Sequence, residues 1–234
     1  MSFEAVLHRF EGAPLDTHKL SAYETWALRH FHNRSEVAQS HLEMTLQLDI
    51  TPAAAAFRSG PCEAGGATLT AYLYWCLLKA LGLHPCFTWR RIDGRWFAFN
   101  NLPLFFPVAV GGTERYNDVL VENALALAWP AFCSTYHDAV SRALQLRLPF
   151  DPIGSAVWNI AIFIGNLPTL QFSSFSIHTQ TVSTGRPVFY FGKRYHAGGN
   201  LHIPLYVRFD HANTDPYVLN LFLEDYQRLL AGGF

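Results

Sequence analysis

His211 is the histidine, among eleven in the chain, whose setting favours proton transfer. It directly follows the run Pro204–Asp210, and Asp215 comes four residues later. An imidazole gains and loses protons near neutral pH, as a general base must. The short connection can hold this imidazole at a sheet edge while the Asp215 carboxylate anchors the loop. Asp215 with Pro216 behind it is also typical of a helix start, so both roles are open for this carboxylate.

The first half of the chain predicts helices, one clear strand and a hairpin. Ser21 and Glu24 have the spacing of a capping box, which opens a helix to about His32. Apolar and polar residues alternate strictly over 42–50, as in a half-buried strand. Further elements are predicted from composition and turn residues: a helix from Thr51-Pro52, a helix over Thr68–Leu81, and a hairpin of Cys86–Ile92 and Arg95–Asn100 around Asp93-Gly94.

The second half predicts the sheet that would carry His211. Val121–Arg147 is mostly helical in composition, with a break expected at Pro130. Four strands follow, at Trp158–Ile164, Gln171–Val182, Pro187–Tyr195 and Leu201–Phe209. A helix after Asp215 has the apolar spacing of one that lies on a sheet. These elements predict a single α+β domain over residues 1–234, with a mixed, largely antiparallel sheet packed by helices.

Charge and composition limit the classes of partner that the sequence predicts. With 17 Lys+Arg against 18 Asp+Glu, the chain has no basic field for nucleic acid or an anionic membrane. Neither a signal peptide nor an apolar run of membrane-spanning length is present, which favours a cytoplasmic protein. Four scattered cysteines indicate free thiols, and no metal site is expected. The charged fraction of 15% is low for a soluble domain, which favours burial of surface in an oligomer.

Five segments in the same order resemble the chloramphenicol acetyltransferase family. The resemblance lies in Trp26–Phe31, Thr45–Thr51, Leu167–Phe175, Pro187–Tyr195 and Pro204–Asp215. It implies the family's acyltransferase fold and the transfer of a short acyl group from an acyl-CoA thioester to a hydroxyl of a small molecule. Acetyl-CoA or another acyl thioester would be a co-substrate, with no tightly bound cofactor. It further implies a homotrimer in which His211 faces a cleft completed by the neighbouring subunit.

The resemblance also implies roles for single residues. His211 matches the catalytic histidine, the general base that takes a proton from the attacking hydroxyl. Asp215 matches the motif's aspartate, which pairs with an arginine in the family, and Arg29 is the best candidate for that arginine. The serine that donates to the oxyanion falls at Gln171, whose side-chain amide is also a donor. Ser173 is a nearby alternative donor.

Two further departures from the family pattern surround His211. Asp210 stands where the family has a first histidine, and its side chain is expected on the opposite face of the strand. Pro216 stands where the family has a glycine.

Two other functions stay open at this point. One is a biosynthetic acyltransferase or cyclase that takes its acyl group from a carrier-protein thioester. The other is a catalytically silent member of the fold, kept as a binding or assembly subunit.

Overall fold

A computed structural model describes residues 2–59, 67–146, 154–178 and 183–233. Within these ranges the helices are α1 Phe3–Arg9, α2 Ala22–His30, α3 Thr51–Ser59, α4 Leu69–Gly82, α5 Trp129–Leu146, α6 Ser155–Trp158 and α7 Pro216–Leu230. The strands are β1 Gly12–Pro14, β2 His41–Asp49, β3 Trp89–Ile92, β4 Arg95–Phe99, β5 Leu104–Gly111, β6 Arg115–Val121, β7 Ile162–Asn166, β8 Val188–Phe191, β9 Tyr195–Ala197 and β10 Asn200–Asp210. Short 3₁₀ turns cover Thr17–Lys19 and Pro85–Thr88.

The strands form two sheets. The large sheet has the order β2-β10-β8-β7-β5-β6, with β9 paired to β10, and the small sheet has the order β1-β4-β3. Pairs β5–β7 and β7–β8 are parallel, and the other pairs are antiparallel. The predicted α+β class with a mixed, largely antiparallel sheet is therefore confirmed.

Strand β10 is the element that carries His211 to its place. Residues 203–210 of this strand are buried, between β2 on one side and β8 on the other. The register pairs Asp210 with His41 and Pro204 with Gln47. Helix α7 returns along the core with Phe222 and Tyr226 fully buried, and it packs against α4. Because the strand is fixed on both edges, its last residue is a rigid support for the loop that follows.

Most predicted elements near the site are confirmed. Ser21 caps α2 through its Oγ, and the Glu24 carboxylate accepts the Ser21 N–H, so the capping box is complete. The alternating run forms β2, and the hairpin forms around Asp93 and Gly94, with its first strand shortened by the 3₁₀ turn at Pro85–Thr88.

One predicted boundary and one predicted strand are wrong over the described residues. The helix expected within Val121–Arg147 forms, but only as α5 from Trp129, so Pro130 lies in its first turn and the expected break does not occur. Proline is tolerated there because the first helical N–H groups have no partner within the helix. Residues 171–178 are not a strand, and 179–182 lie outside the described residues. The backbone of 171–178 is held by side chains: Gln47 Nε2 donates to the Phe172 carbonyl, and the Arg208 guanidinium donates to the His178 carbonyl.

Candidate active site

The loop after β10 is held on several sides. The His211 N–H donates to the Ser40 carbonyl at 2.7 Å, and the N–H groups of Asn213 and Thr214 return to the Asp210 carbonyl at 3.2 and 3.0 Å. The Asn213 amide donates to the carbonyls of Cys86 and Gly185 at 2.8 and 3.1 Å. With this many bonds, the loop presents the His211 ring in one fixed direction.

The His211 imidazole is half-buried and stacks on Phe31, the residue that follows α2. Its Nδ1 is buried and has no hydrogen-bond partner. Nε2 also has no partner among the described residues and is not among the buried unpaired atoms, so it is the accessible nitrogen of a residue that lines the neighbouring cavity. A ring with one free, accessible nitrogen is suited to accept a proton from a bound molecule.

The cavity beside His211 has a volume of about 880 Å³. Its walls come from the segment before α2, from α2 itself, from the turn at Pro85–Thr88 and from the loop 211–215. Apolar side chains form much of this lining, including Leu15, Leu20, Trp89 and Val218. A largely apolar cleft of this size with a few polar groups is the usual form of a small-molecule site.

Asp215 lies in the same cavity and caps α7. Its Oδ1 accepts a hydrogen bond from the Val218 N–H at 2.9 Å, and Pro216 occupies the first helical position. The N-cap predicted for Asp215 is confirmed. The Tyr23 phenol lies nearby, and its pKa is raised by burial and by the charge of the Asp215 carboxylate.

Asp210 faces away from His211 and is fully buried. His32 Nε2 bonds to its Oδ2 at 2.7 Å, the Ser183 hydroxyl donates to the same oxygen, and the Ala212 N–H donates to Oδ1 at 3.0 Å. Burial opposes the charge on this carboxyl, but the bonds from His32 and Ser183 outweigh it, so the pKa of Asp210 is lowered. This carboxylate ties His32 to the backbone beside His211.

Cys86 is a cavity thiol that is unsuited to act as a nucleophile. Burial raises its pKa to about 12, and its sulfur lies 3.9 Å from the Thr214 hydroxyl. A thiol with so high a pKa is almost entirely protonated at neutral pH.

Arg29 does not contact Asp215 in the described part of the structure. Its Nε donates to the Thr25 carbonyl one turn earlier, at 3.2 Å. Helix α2 turns Tyr23 and Ala27 towards the His211 cavity, whereas Thr25 and Arg29 line a second cavity on its other side. No ion pair to Asp215 occurs among the described residues.

Gln171 and Ser173 are exposed and lie away from the His211 cavity. Gln47 holds this segment through the Phe172 carbonyl, and Gln47 pairs with Pro204 on β10. From Pro204 to His211 the chain advances by seven residues, which is about 23 Å at strand spacing. Within one chain, neither side chain reaches an oxyanion formed beside His211.

Sequence similarity identifies the protein family to which this chain belongs. The chloramphenicol acetyltransferase family matches residues 18–227, from the segment before α2 to the last part of α7. The chain belongs to the chloramphenicol acetyltransferase family. Chloramphenicol acetyltransferases from Klebsiella sp and Escherichia coli are each 24% identical over 227 residues, covering 90% of this chain and 94% of theirs.

Solved structures share the fold of this family member. A chloramphenicol acetyltransferase superposes with a TM-score of 0.72 at 18% identity, covering 94% of this chain and 99% of the other. A dihydrolipoamide acetyltransferase from Azotobacter vinelandii gives 0.61 at 16% identity, covering 82% and 81%. The catalytic core of a 2-oxoacid dehydrogenase complex from Thermoplasma acidophilum gives 0.63 at 14% identity, covering 92% and 97%. At these identities the likeness establishes the fold.

Sequence reasoning missed the side chains that support His211 in this family member. Phe31 lies in a segment that carries the family resemblance, but stacking between positions 31 and 211 leaves no periodic signal. His32 and Asp210 are likewise far apart in sequence and meet only through the fold.

Two kinds of feature do not occur in the described part of the chain. No group of three or more His, Cys, Asp or Glu side chains there is arranged to hold a metal ion. No helix there has the length and apolar character needed to cross a membrane.

Proposed function

We propose that this family member transfers an acetyl or other short acyl group from an acyl-CoA thioester to a hydroxyl of a small molecule, with His211 as the general base. The observation that carries this proposal is the ring of His211, which lines a cavity of about 880 Å³, has an accessible Nε2 and stacks on Phe31. Membership in a family of acetyltransferases supports the reaction class.

The proposed reaction uses His211 twice. Nε2 accepts the proton of the acceptor hydroxyl while the hydroxyl oxygen forms a bond to the thioester carbonyl carbon. The carbonyl oxygen becomes a tetrahedral oxyanion. When the intermediate collapses, the carbon–sulfur bond breaks and the thiolate takes the proton from Nε2. The histidine returns to its starting state, and no metal or redox step is needed to balance the reaction.

Asp215 and Asp210 support this base from two sides. Asp215 fixes the start of α7, which closes the cavity beyond the loop. Asp210 fixes the backbone at Ala212 and the His32 side chain. Neither carboxylate touches the imidazole in the described contacts, so we assign them positioning roles rather than a direct charge relay.

The oxyanion donor is proposed to come from a neighbouring subunit. Gln171 and Ser173 are exposed, and their segment is held by Gln47 opposite Pro204, which lies about 23 Å along the strand from His211 of the same chain. A homotrimer in which one subunit supplies His211 and the next supplies Gln171 or Ser173 would complete the site. One oxyanion donor is typically worth about 3 kcal/mol of transition-state stabilisation.

A thiol-release assay tests the reaction. Purified protein is mixed with acetyl-CoA and a panel of small alcohols that includes chloramphenicol, and free thiol is measured against time. We expect thiol release that depends on both the acceptor and the protein. If thiol is released only from an acyl carrier-protein thioester, the acyl donor is a carrier protein and not coenzyme A. No release from either donor with any acceptor would favour a silent binding or assembly subunit over the proposed enzyme.

A further inference from the structure

A second cavity, of about 420 Å³, lies on the opposite side of α2 from His211. Its polar and aromatic lining comes from α2, from His32 just beyond the helix, from the β3–β4 hairpin and from the 3₁₀ turn at Thr17–Lys19. The residues concerned are Thr17, Thr25, Arg29, His32, Arg91 and Trp96. No carboxylate is among the described residues that line it.

The two arginines in this cavity carry uncompensated charge. Arg91 forms no ion pair with any described residue, and Arg29 uses only Nε, on the Thr25 carbonyl. Arg29 lies on α2 and Arg91 lies on β3, so two positive charges from different elements line the same cavity. Like charges in a shared cleft focus the field and attract an ion of opposite sign.

His32 and the threonines add further hydrogen-bonding groups to this positive field. The His32 side chain is 7% exposed, and its Nε2 is held by the Asp210 carboxylate. Its Nδ1 has no partner among the described residues and is not among the buried unpaired atoms, so this residue of the cavity lining keeps one accessible nitrogen. Hydroxyls at Thr17 and Thr25 complete a set of groups suited to a tetrahedral oxyanion, for which arginine is the preferred partner.

We propose that this second cavity binds a phosphate group. The same chemistry is offered by the phosphates of a coenzyme A donor and by a free phosphorylated molecule or inorganic phosphate. Only the coenzyme source depends on the function proposed above. In either case, the bound group lies beside His32, whose partner Asp210 supports the backbone next to His211.

Thermal unfolding in phosphate tests this site without any measure of activity. Sodium phosphate is compared with sodium chloride at equal ionic strength and pH, because phosphate also stabilises proteins non-specifically. The wild-type protein is compared with Arg91→Gln and Arg29→Gln. Arg95→Gln is the matched control, since Arg95 is exposed on the same hairpin and does not line the cavity.

In saturating phosphate, we expect the Tm of the wild-type protein and of Arg95→Gln to rise. This rise should exceed the rise in Tm of Arg91→Gln and Arg29→Gln by about 3 °C. His211→Ala should keep the wild-type gain, so a failed acyltransferase assignment would leave this result intact. An equal gain in all variants would overturn the phosphate site.

Calorimetric titration with coenzyme A separates the two sources of phosphate. If the coenzyme supplies it, Arg91→Gln should weaken coenzyme A binding about tenfold and inorganic phosphate should compete with the coenzyme. If coenzyme binding is unchanged in Arg91→Gln while the phosphate-dependent gain in Tm is lost, the site takes a free phosphorylated molecule.

Discussion

The imidazole of His211 lies flat on the phenyl ring of Phe31, with ring centroids 4.0 Å apart and ring planes inclined by 11°. This contact joins the loop after β10 to the end of α2, two elements that meet on one side of the cavity. An offset or parallel stack of this kind stabilises by about 1 kcal/mol and also fixes the plane of the ring. The direction of Nε2 therefore depends on Phe31 as well as on the loop.

Replacing Phe31 by alanine should release the ring and lower kcat about tenfold, because a misplaced base loses its near-attack geometry. KM should change little, since Phe31 does not line the cavity directly. Phe31→Tyr keeps the ring and should keep most of the rate. Steady-state kinetics of both variants check this prediction, and equal kcat values for alanine and wild type would contradict it.

Asp210 should make a large contribution to stability. Asp210→Asn removes a buried charge bonded to His32 and Ser183, and loss of one partner of such a group costs about 3 kcal/mol. The expected result is a fall in Tm of several degrees in calorimetry at pH 7. Asp138→Asn, at an exposed position on α5, is the control and should leave Tm unchanged.

The lowered pKa of Asp210 predicts that the stability of the protein depends on pH. Because the pKa of Asp210 is lowered in the folded protein, its stabilising effect is present above the ordinary value of 3.8 and is lost as pH falls towards the folded value. The Tm difference between wild type and Asp210→Asn should therefore shrink below about pH 4. A difference that stayed constant from pH 7 to pH 3 would show that the Asp210 charge contributes nothing.

Two substitutions of Asp215 distinguish its helix-capping effect on stability from the effect of its charge on Tyr23. Asp215→Ala removes the acceptor for the Val218 N–H and should cost about 1 kcal/mol, whereas asparagine is also a good cap and should cost less. Asp215→Asn should instead lower the pKa of Tyr23, because the carboxylate charge helps to raise it. Calorimetry and ultraviolet titration measure the two effects. An unchanged tyrosine titration in Asp215→Asn would remove the link to Tyr23.

The sequence predicted local elements better than contacts between them. The Ser21 capping box, β2 and the Asp215 cap each depend on neighbours within a few residues, and each is confirmed. The expected strand over 171–182 is wrong where it is described, because the aromatic and β-branched residues in this segment do not by themselves supply a pairing partner.

The same distinction applies to the site. His211 and Asp215 lie in one cavity, as their spacing in one short loop suggests. The separation of Arg29 from Asp215 depends on which side of α2 each position faces, and one residue along a helix turns a side chain by about 100°. The distance between Gln171 and His211 depends on strand register, which no local pattern fixes.

The shared site predicts a homotrimer. Light scattering should give three times the chain mass of 26.4 kDa, with no monomer peak on dilution. A stable, active monomer would contradict the assignment of Gln171 or Ser173 to a neighbouring subunit.

Mixed trimers test which subunit supplies Gln171. Gln171→Ala should lower kcat about a hundredfold with little change in KM. When Gln171→Ala and His211→Ala chains assemble at random in equal amounts, about a quarter of the shared sites regain both side chains. Recovery of about a quarter of wild-type activity supports the shared site. No recovery would place both residues in one chain's site, whereas an undiminished kcat of Gln171→Ala alone would remove Gln171 from catalysis.

The most direct measurement of the central claim is the rate of acetyl-CoA thiol release by His211→Ala in the presence of an acceptor that the wild-type protein uses. Since His211 is half-buried on a loop, the variant should fold, which circular dichroism checks. His137→Ala, at an exposed position on α5, is the matched control. We predict that His211→Ala loses at least about a hundredfold in kcat while His137→Ala keeps the wild-type rate. A folded His211→Ala protein with a near-normal rate would contradict general base catalysis by His211.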